Sequence, residues 1–350
     1  MEKIKTEKQK QEEKETKLFS RYASGMIKGV ISVPKPLKEL VDYNKLLKGV
    51  EEHIEKQVHG IIGQYDIYTK YLQHIQGIGP MFAANLISMI DPPERFPRPS
   101  SLTAFAGLTG RHYEAECARK HKIIYAAVPK TGKCNVMVTT DEGESFGDKR
   151  EPCGANITKI EEFNTAPRRK AGYVLMINST LKTTMFKIAN SFEKQPTEKS
   201  FYRKLYVEWK AEALAKYPED EKGHVLHARL TAIRKVSSRF LIDLHVNWMN
   251  GLGFEVTPYQ ETLQGHTIFP LKLDDKTVLP PKGSIAPIQD DQRYSMKQIV
   301  GSYYDVQKLR IASFNNIVSW CKSHRDVLPS LPETRHGKDD EADVDLVDTQ

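Results

Sequence analysis

Apolar residues recur at gaps of three and four along much of this chain, a period that admits little besides α-helix. Tyr173, Ile177, Thr180, Leu181, Thr184, Met185 and Ile188 form one such stripe, and Phe201, Leu205, Trp209 and Leu214 form a second. A third runs through Leu226, Leu230, Ile233, Val236, Phe240, Leu241, Leu244 and Trp248, and is closed by Gly251 and Gly253. Upstream, Leu47, Val50, Ile54, Val58, Ile61, Tyr65, Tyr68 and Leu72 predict an amphipathic, coiled-coil-like helix over 46–72, weakened by Gly60 and Gly63. Its seam can pack on its own domain or on a second copy. Tyr303 to Ser323 predicts a last helix. The fold class is therefore mainly α, and 350 residues suggest about two domains.

The departures from that period are local. Residues 1–18 are rich in Lys, Glu and Gln and read as a frayed helix, and Pro34 and Pro36 break the chain before the first sustained pattern. Ile123, Ile124, Tyr125 and Val128, then Val136, Met137 and Val138, flank the turn signal Pro129-Lys130-Thr131-Gly132 and predict a β-hairpin. It lies within an insertion at 111–156, of which 141–156 reads as loop; 254–295 is Pro-rich and irregular, with two short strands at most. The expected organisation is a basic N-terminal segment (1–45), the long helix (46–72) and a central domain with its insertion (73–253). An extension (254–325) and an acidic, disordered tail (326–350) follow.

Charge narrows the partners. The net charge is +7, but residues 337–350 carry six acids and one Lys, which leaves about +12 on the rest. A basic body with an acidic tail points to a polyanionic partner, with the tail as a competitor or a solubilising segment. There is no apolar run of about 18 residues, which excludes a membrane helix. The first seventeen residues lack the apolar core of a secretory signal. Four cysteines, Cys117, Cys134, Cys153 and Cys321, show no paired pattern, as expected of a reducing, intracellular setting.

The sharpest chemistry lies in HIQGIGPMFAANLI, His74 to Ile87. Gly77 and Gly79 sit between an apolar helix end and an apolar helix start, Pro80 suits the first helical position, and Ala83 and Ala84 allow close packing. Glycines there let backbone N–H groups at a helix N-terminus meet an anion with no Cβ in the way. This is the helix-hairpin-helix pattern, for which backbone phosphate of nucleic acid is the natural ligand, so Gly77, Ile78, Gly79 and Pro80 are candidate contacts. A tight turn between two packed helices is the competing explanation.

The set Tyr71, Ile75-x-Gly77-Ile78-Gly79-Pro80, Ala83, Leu86-Ile87, Phe96 and Ser101-Leu102-x-Ala104-Phe105-Ala106-Gly107-Leu108 resembles the C-terminal domain of insertion sequence 110 family transposases (the IS116/IS110/IS902 type). The resemblance covers 46–110 well and 165–250 loosely. It implies a helix-hairpin-helix domain after a coiled coil, acting in DNA transposition or recombination in the prokaryotic, nucleoid-associated cytoplasm. The family also carries an N-terminal RuvC-like domain with four metal-binding acids. Only about 45 residues precede the long helix here, without strand alternation, so that domain is expected to be missing. Magnesium would then enter only with a catalytic partner domain. The family's serine nucleophile follows its Ala-Gly-Leu segment, where this chain has TGRHYEAECARKHK. Ser145 and, as a thiol substitute, Cys153 are the catalytic candidates, against an ordinary loop serine and cysteine.

Two further constellations stand out. Cys117, His121, Cys134 and Cys153 combine soft thiolates and an imidazole in a set that suits zinc, although the usual Cys-x-x-Cys knuckle is missing and ordinary cysteines are the competing explanation. Arg111, Lys120 and Lys122, then Arg168, Arg169 and Lys170, then Arg234 and Lys235, form basic groups suited to phosphate contact. The expected function is DNA binding in transposition, in a homo-oligomer built on helix 46–72, with a guide or structured RNA as a further partner. The alternative is a non-catalytic DNA-binding or scaffold protein without transposase activity.

Overall fold

The computed structural model describes residues 7–129, 131–139, 150–216, 224–254 and 281–328. The chain divides into two compact units, one of residues 57–300 and one of residues 1–56 together with 301–350. The boundaries fall inside two helices, α2 (Lys38–Ile62) and α9 (Asp290–Ser323). Ser145, the acidic tail beyond 328 and most of the irregular stretch after Phe254 lie outside the described residues.

In the unit made of the chain's ends, α1 (Glu7–Lys28) is helical and runs ten residues beyond the Lys/Glu/Gln-rich segment; residues 1–6 lie outside the described residues. Phe19, Ala23 and Met26, spaced four and three apart, are buried with Leu37, Val41, Ile317, Val318 and Cys321. Three apolar contacts on one stripe hold a helix that its charged composition alone would not. Pro34 and Pro36 do break the chain, which makes a short 3₁₀ turn at Lys35–Leu37 before α2 starts.

The helix expected over 46–72 is shifted. Helix α2 begins at Lys38 and stops at Ile62. The amides of Gln64 and Tyr65 then bond back to Ile61 and Ile62 at 3.0 and 3.1 Å, and a separate α3 runs from Asp66 to Lys70. Gly63 is the physical reason, because glycine weakens a helix at the point where Tyr65 gains a buried site. Part of the seam is occupied by this chain: Leu47 and Ile54 are buried, Asn44 donates to the Arg310 carbonyl at 2.9 Å, and Glu51 pairs with Arg310.

In the larger unit, α5 (Pro99–Phe105), α6 (Ser179–Glu193) and α7 (Phe201–Lys216) pack on α8 (His224–Gly251). Phe192 of α6, Tyr202 of α7 and Phe240 of α8 meet with ring centroids 4.7 to 5.5 Å apart. Beneath them, the Tyr202 hydroxyl donates to Asp243 at 3.1 Å, Arg239 donates to the same carboxylate at 2.9 Å, and Asn247 donates to the Tyr71 hydroxyl at 3.3 Å.

Burial pushes the Asp243 carboxyl up to about 6 from an ordinary value of 3.8, against the pull of Arg239. Between those values the folded state binds more protons than the unfolded one, so this group's contribution falls as pH rises through the window. The full difference is about 3 kcal/mol. Urea unfolding of the wild type and Asp243→Asn should show the gap in stability moving by about that much in the variant's favour between about pH 4 and 7. A gap independent of pH would refute the assignment.

The insertion contributes two strands to a four-stranded sheet completed by residues after it, rather than forming the expected hairpin. Strands β1 (His112–Cys117), β2 (Lys122–Tyr125), β5 (Ile157–Phe163) and β6 (Tyr173–Met176) form one sheet in the order β5-β1-β2-β6. β1 pairs antiparallel with β2 and β5, while β2 and β6 are parallel. The stretch 136–138 does not return onto β2; β3 (Met137–Thr139) pairs with β4 (Arg150–Pro152). β6 also corrects the reading of Tyr173 as the start of a helix. Helix α6 begins at Ser179, where the Asn178 side chain caps it by accepting from the Leu181 amide at 2.9 Å.

Candidate functional site

The segment His74–Ile87 folds as a turn between short helical elements. α3 and a 3₁₀ turn at Leu72–His74 lead in, and α4 (Pro80–Ile90) leads out. Ile75 and Ile78 are buried and anchor the turn, closed by an Ile78 N–H to Ile75 carbonyl bond of 3.0 Å. The two glycines have different duties. Gly77 takes φ +96°, its carbonyl accepts from Ser191 Oγ at 2.9 Å, and a Cβ there would lie 3.0 Å from the Phe192 ring. It is a packing glycine. Gly79 is the N-cap of α4 in extended backbone, and a Cβ there would meet nothing within 4 Å.

Pro80 occupies the first position of α4, and no side chain caps the helix. The Met81 and Phe82 amides therefore have no partner among the described residues. With no acid in its first turn, the helix presents its positive dipole end to an open depression of about 520 Å³, lined by His59, Gly77, Ile78, Gly79, Pro80, Met81, Phe82 and Ser191. Ser191 and His59 gave no signal in the sequence, because they reach the turn from other helices.

The basic candidates separate into two kinds. Arg111 pairs with Glu162 at 2.9 Å, Lys170 with Glu114 at 2.6 Å and Lys235 with Glu212 at 3.0 Å. Lys122 shares its sheet face with Glu114, Glu116 and Glu161 and lies 5.9 Å from the Tyr173 ring. That face is of mixed charge, so the expected basic patch is diluted there. Such exposed pairs contribute little and exchange readily.

Arg168 and Arg169 are exposed and form no ion pair among the described residues. Beside them Lys182, on the first turn of α6, donates to the Pro167 carbonyl at 2.7 Å; burial and then the nearby Arg168 charge lower its pKa. Like charges held together with no carboxylate paired to them among the described residues form a spot that an anion relieves, and Lys182 gave no signal in the sequence. Lys120 sits exposed in a left-handed turn residue, and Arg234 reaches Gly110.

Cys117, His121, Cys134 and Cys153, expected as one set, do come together. Their ligand atoms all lie within 4.8 Å of one another, and all three thiols are buried and free. Burial pushes the Cys134 thiol up to about 11, whereas the Ala155 amide beside Cys153 lowers its pKa. This is a Cys/His cluster able to bind a metal. Cys153 is not among the residues lining the depression at Gly79.

Residues 69–130 match the model of the transposase IS116/IS110/IS902 family. The matched segment spans the Gly77–Pro80 turn, α4, α5, β1 and β2, and is similar to a transposase domain over that part of the chain alone. No curated protein and no solved structure matches the chain. No helix among the described residues is long and apolar enough to cross a membrane.

Proposed function

We propose that this chain is a DNA-binding protein of transposition that holds the duplex by its phosphates, with the turn at Gly77–Pro80 acting as a helix-hairpin-helix. The carrying observation is the uncapped N-terminus of α4, open at Gly79, inside the transposase-family segment. A phosphate oxygen there would accept from the Met81 and Phe82 amides and meet the positive end of the helix dipole. Arg168, Arg169 and Lys182 supply a second set of donors, and the ion-paired Arg111, Lys170 and Lys235 can exchange a carboxylate for a phosphate. None of these contacts reads a base edge, so recognition by this surface is of backbone and shape.

Fluorescence anisotropy with two duplexes of unrelated sequence tests the reading. Both should bind with similar affinity, and about four phosphate contacts should weaken binding by about a hundredfold between 50 and 200 mM salt. Absence of binding at 50 mM salt, or binding indifferent to salt, would remove the proposal.

A further inference from the structure

We propose that Cys117, His121, Cys134 and Cys153 hold a structural zinc ion that staples the four-stranded sheet to the β3–β4 pair. The four ligands come from separate places: the end of β1, the turn that follows it, the loop before β3 and the residue after β4. Backbone bonds bring them together. Lys120, at φ +59°, donates to the Cys117 carbonyl at 2.7 Å, so the chain folds back and sets His121 beside Cys117. Cys134 donates to the Ala155 carbonyl at 2.8 Å while Gly154 donates to the Cys134 carbonyl at 3.0 Å, which sets Cys153 beside Cys134.

The geometry suits a tetrahedral ion. Zinc bonds of about 2.3 Å to sulfur and 2.0–2.1 Å to nitrogen place S and N ligands of one tetrahedron about 3.6 Å apart, and two sulfurs about 3.8 Å apart. Cys134 Sγ lies 3.6 Å from His121 Nδ1, and no two ligand atoms of the set are more than 4.8 Å apart. A disulfide would use two thiols and leave the third and the imidazole without a purpose. Three thiolates and an imidazole fill four positions, so the site is closed and its role is structural. On binding, the three thiols give up their protons to solvent and the neutral imidazole supplies a lone pair, leaving a centre of net charge −1.

The fold has a need for such a staple. β3 and β4 are three residues each, and a pair that short is not stable by itself. The apolar residues beside the cluster, among them Ala115, Ile123, Tyr125 and Val136, make only a small core. The ion also fixes the turn that exposes Arg119 and Lys120.

The test is made on the full chain, purified without a metal-affinity column from zinc-supplemented medium, by elemental analysis. One zinc per chain is expected, retained in Cys321→Ser and lost in Cys134→Ser and His121→Ala. Exchange of the unmutated chain with cobalt(II) should give thiolate-to-metal charge transfer and tetrahedral ligand-field bands, a readout that needs no variant to fold. A folded chain without zinc and without those cobalt bands would overturn the site, as would a disulfide among Cys117, Cys134 and Cys153 by mass spectrometry. Zinc content is read without DNA, so its outcome is separate from that of DNA binding.

Discussion

Gly79→Asp is expected to weaken duplex binding by about thirtyfold at low salt, about 2 kcal/mol, while leaving the fold intact or slightly more stable. The opposite signs follow from one position. Gly79 is the N-cap of α4, its backbone is already extended, and a Cβ there meets nothing within 4 Å. Asp is a preferred N-cap, worth a few tenths of a kcal/mol over Gly, because its carboxylate accepts from the second and third amides of the helix. Those amides belong to Met81 and Phe82, the donors that a phosphate would use, and the new charge also repels the phosphate. Thermal unfolding and anisotropy on the same sample separate the two effects. Gly79→Asn occupies the donors without the charge and should fall between Asp and wild type. A variant that binds as tightly as wild type would mean that the open helix end carries no ligand.

Gly107→Ala is expected to lose about 2 kcal/mol of stability. The Ala106-Gly107-Leu108 segment ends α5 as a Schellman motif: Leu108 N–H bonds the Thr103 carbonyl at 3.0 Å and Gly107 N–H bonds the Ala104 carbonyl at 2.9 Å. Gly107 holds φ +64°, and a Cβ on it would fall 2.5 Å from Ile177 Cδ1. Any side chain therefore meets backbone strain together with a collision at the point where α5 docks beside β6. A melting temperature lower by about 4–8 °C is expected for a unit of this size. Gly107→Asn tolerates the left-handed backbone but not the contact, so it should recover only part of the loss. An unchanged melting temperature in Gly107→Ala would show that this cap is not formed.

These two glycines show how much of the molecule its sequence discloses. The hairpin with the Ala-Gly-Leu segment was legible as a resemblance, and α8 falls where its stripe predicts; α7 lies where expected but buries Tyr202, Tyr206 and Ala213 instead of the stripe Phe201, Leu205, Trp209 and Leu214. What the resemblance could not divide was the labour between Gly77 and Gly79, since that depends on Ser191 and Phe192, more than a hundred residues away. β6 was misread for a related reason: Tyr173 and Ile177 keep a helical spacing, yet Tyr173–Met176 pairs with β2. Strand partners are non-local and leave no local period to read. The Cys/His set was legible as chemistry, with Cys117 and His121 one turn apart in sequence. Only the fold brings Cys134 and Cys153 to them. Lys182 was hidden because its neighbour Arg168 lies fourteen positions away, across β6.

The most direct measurement is the dependence of duplex affinity on salt, taken in parallel for the wild type and Gly79→Asp. Phosphate capture at the α4 end predicts a steep linear fall of log affinity with log salt in the wild type, and a slope shallower by about one phosphate contact in the variant. Identical slopes and identical affinities in the two proteins would contradict it.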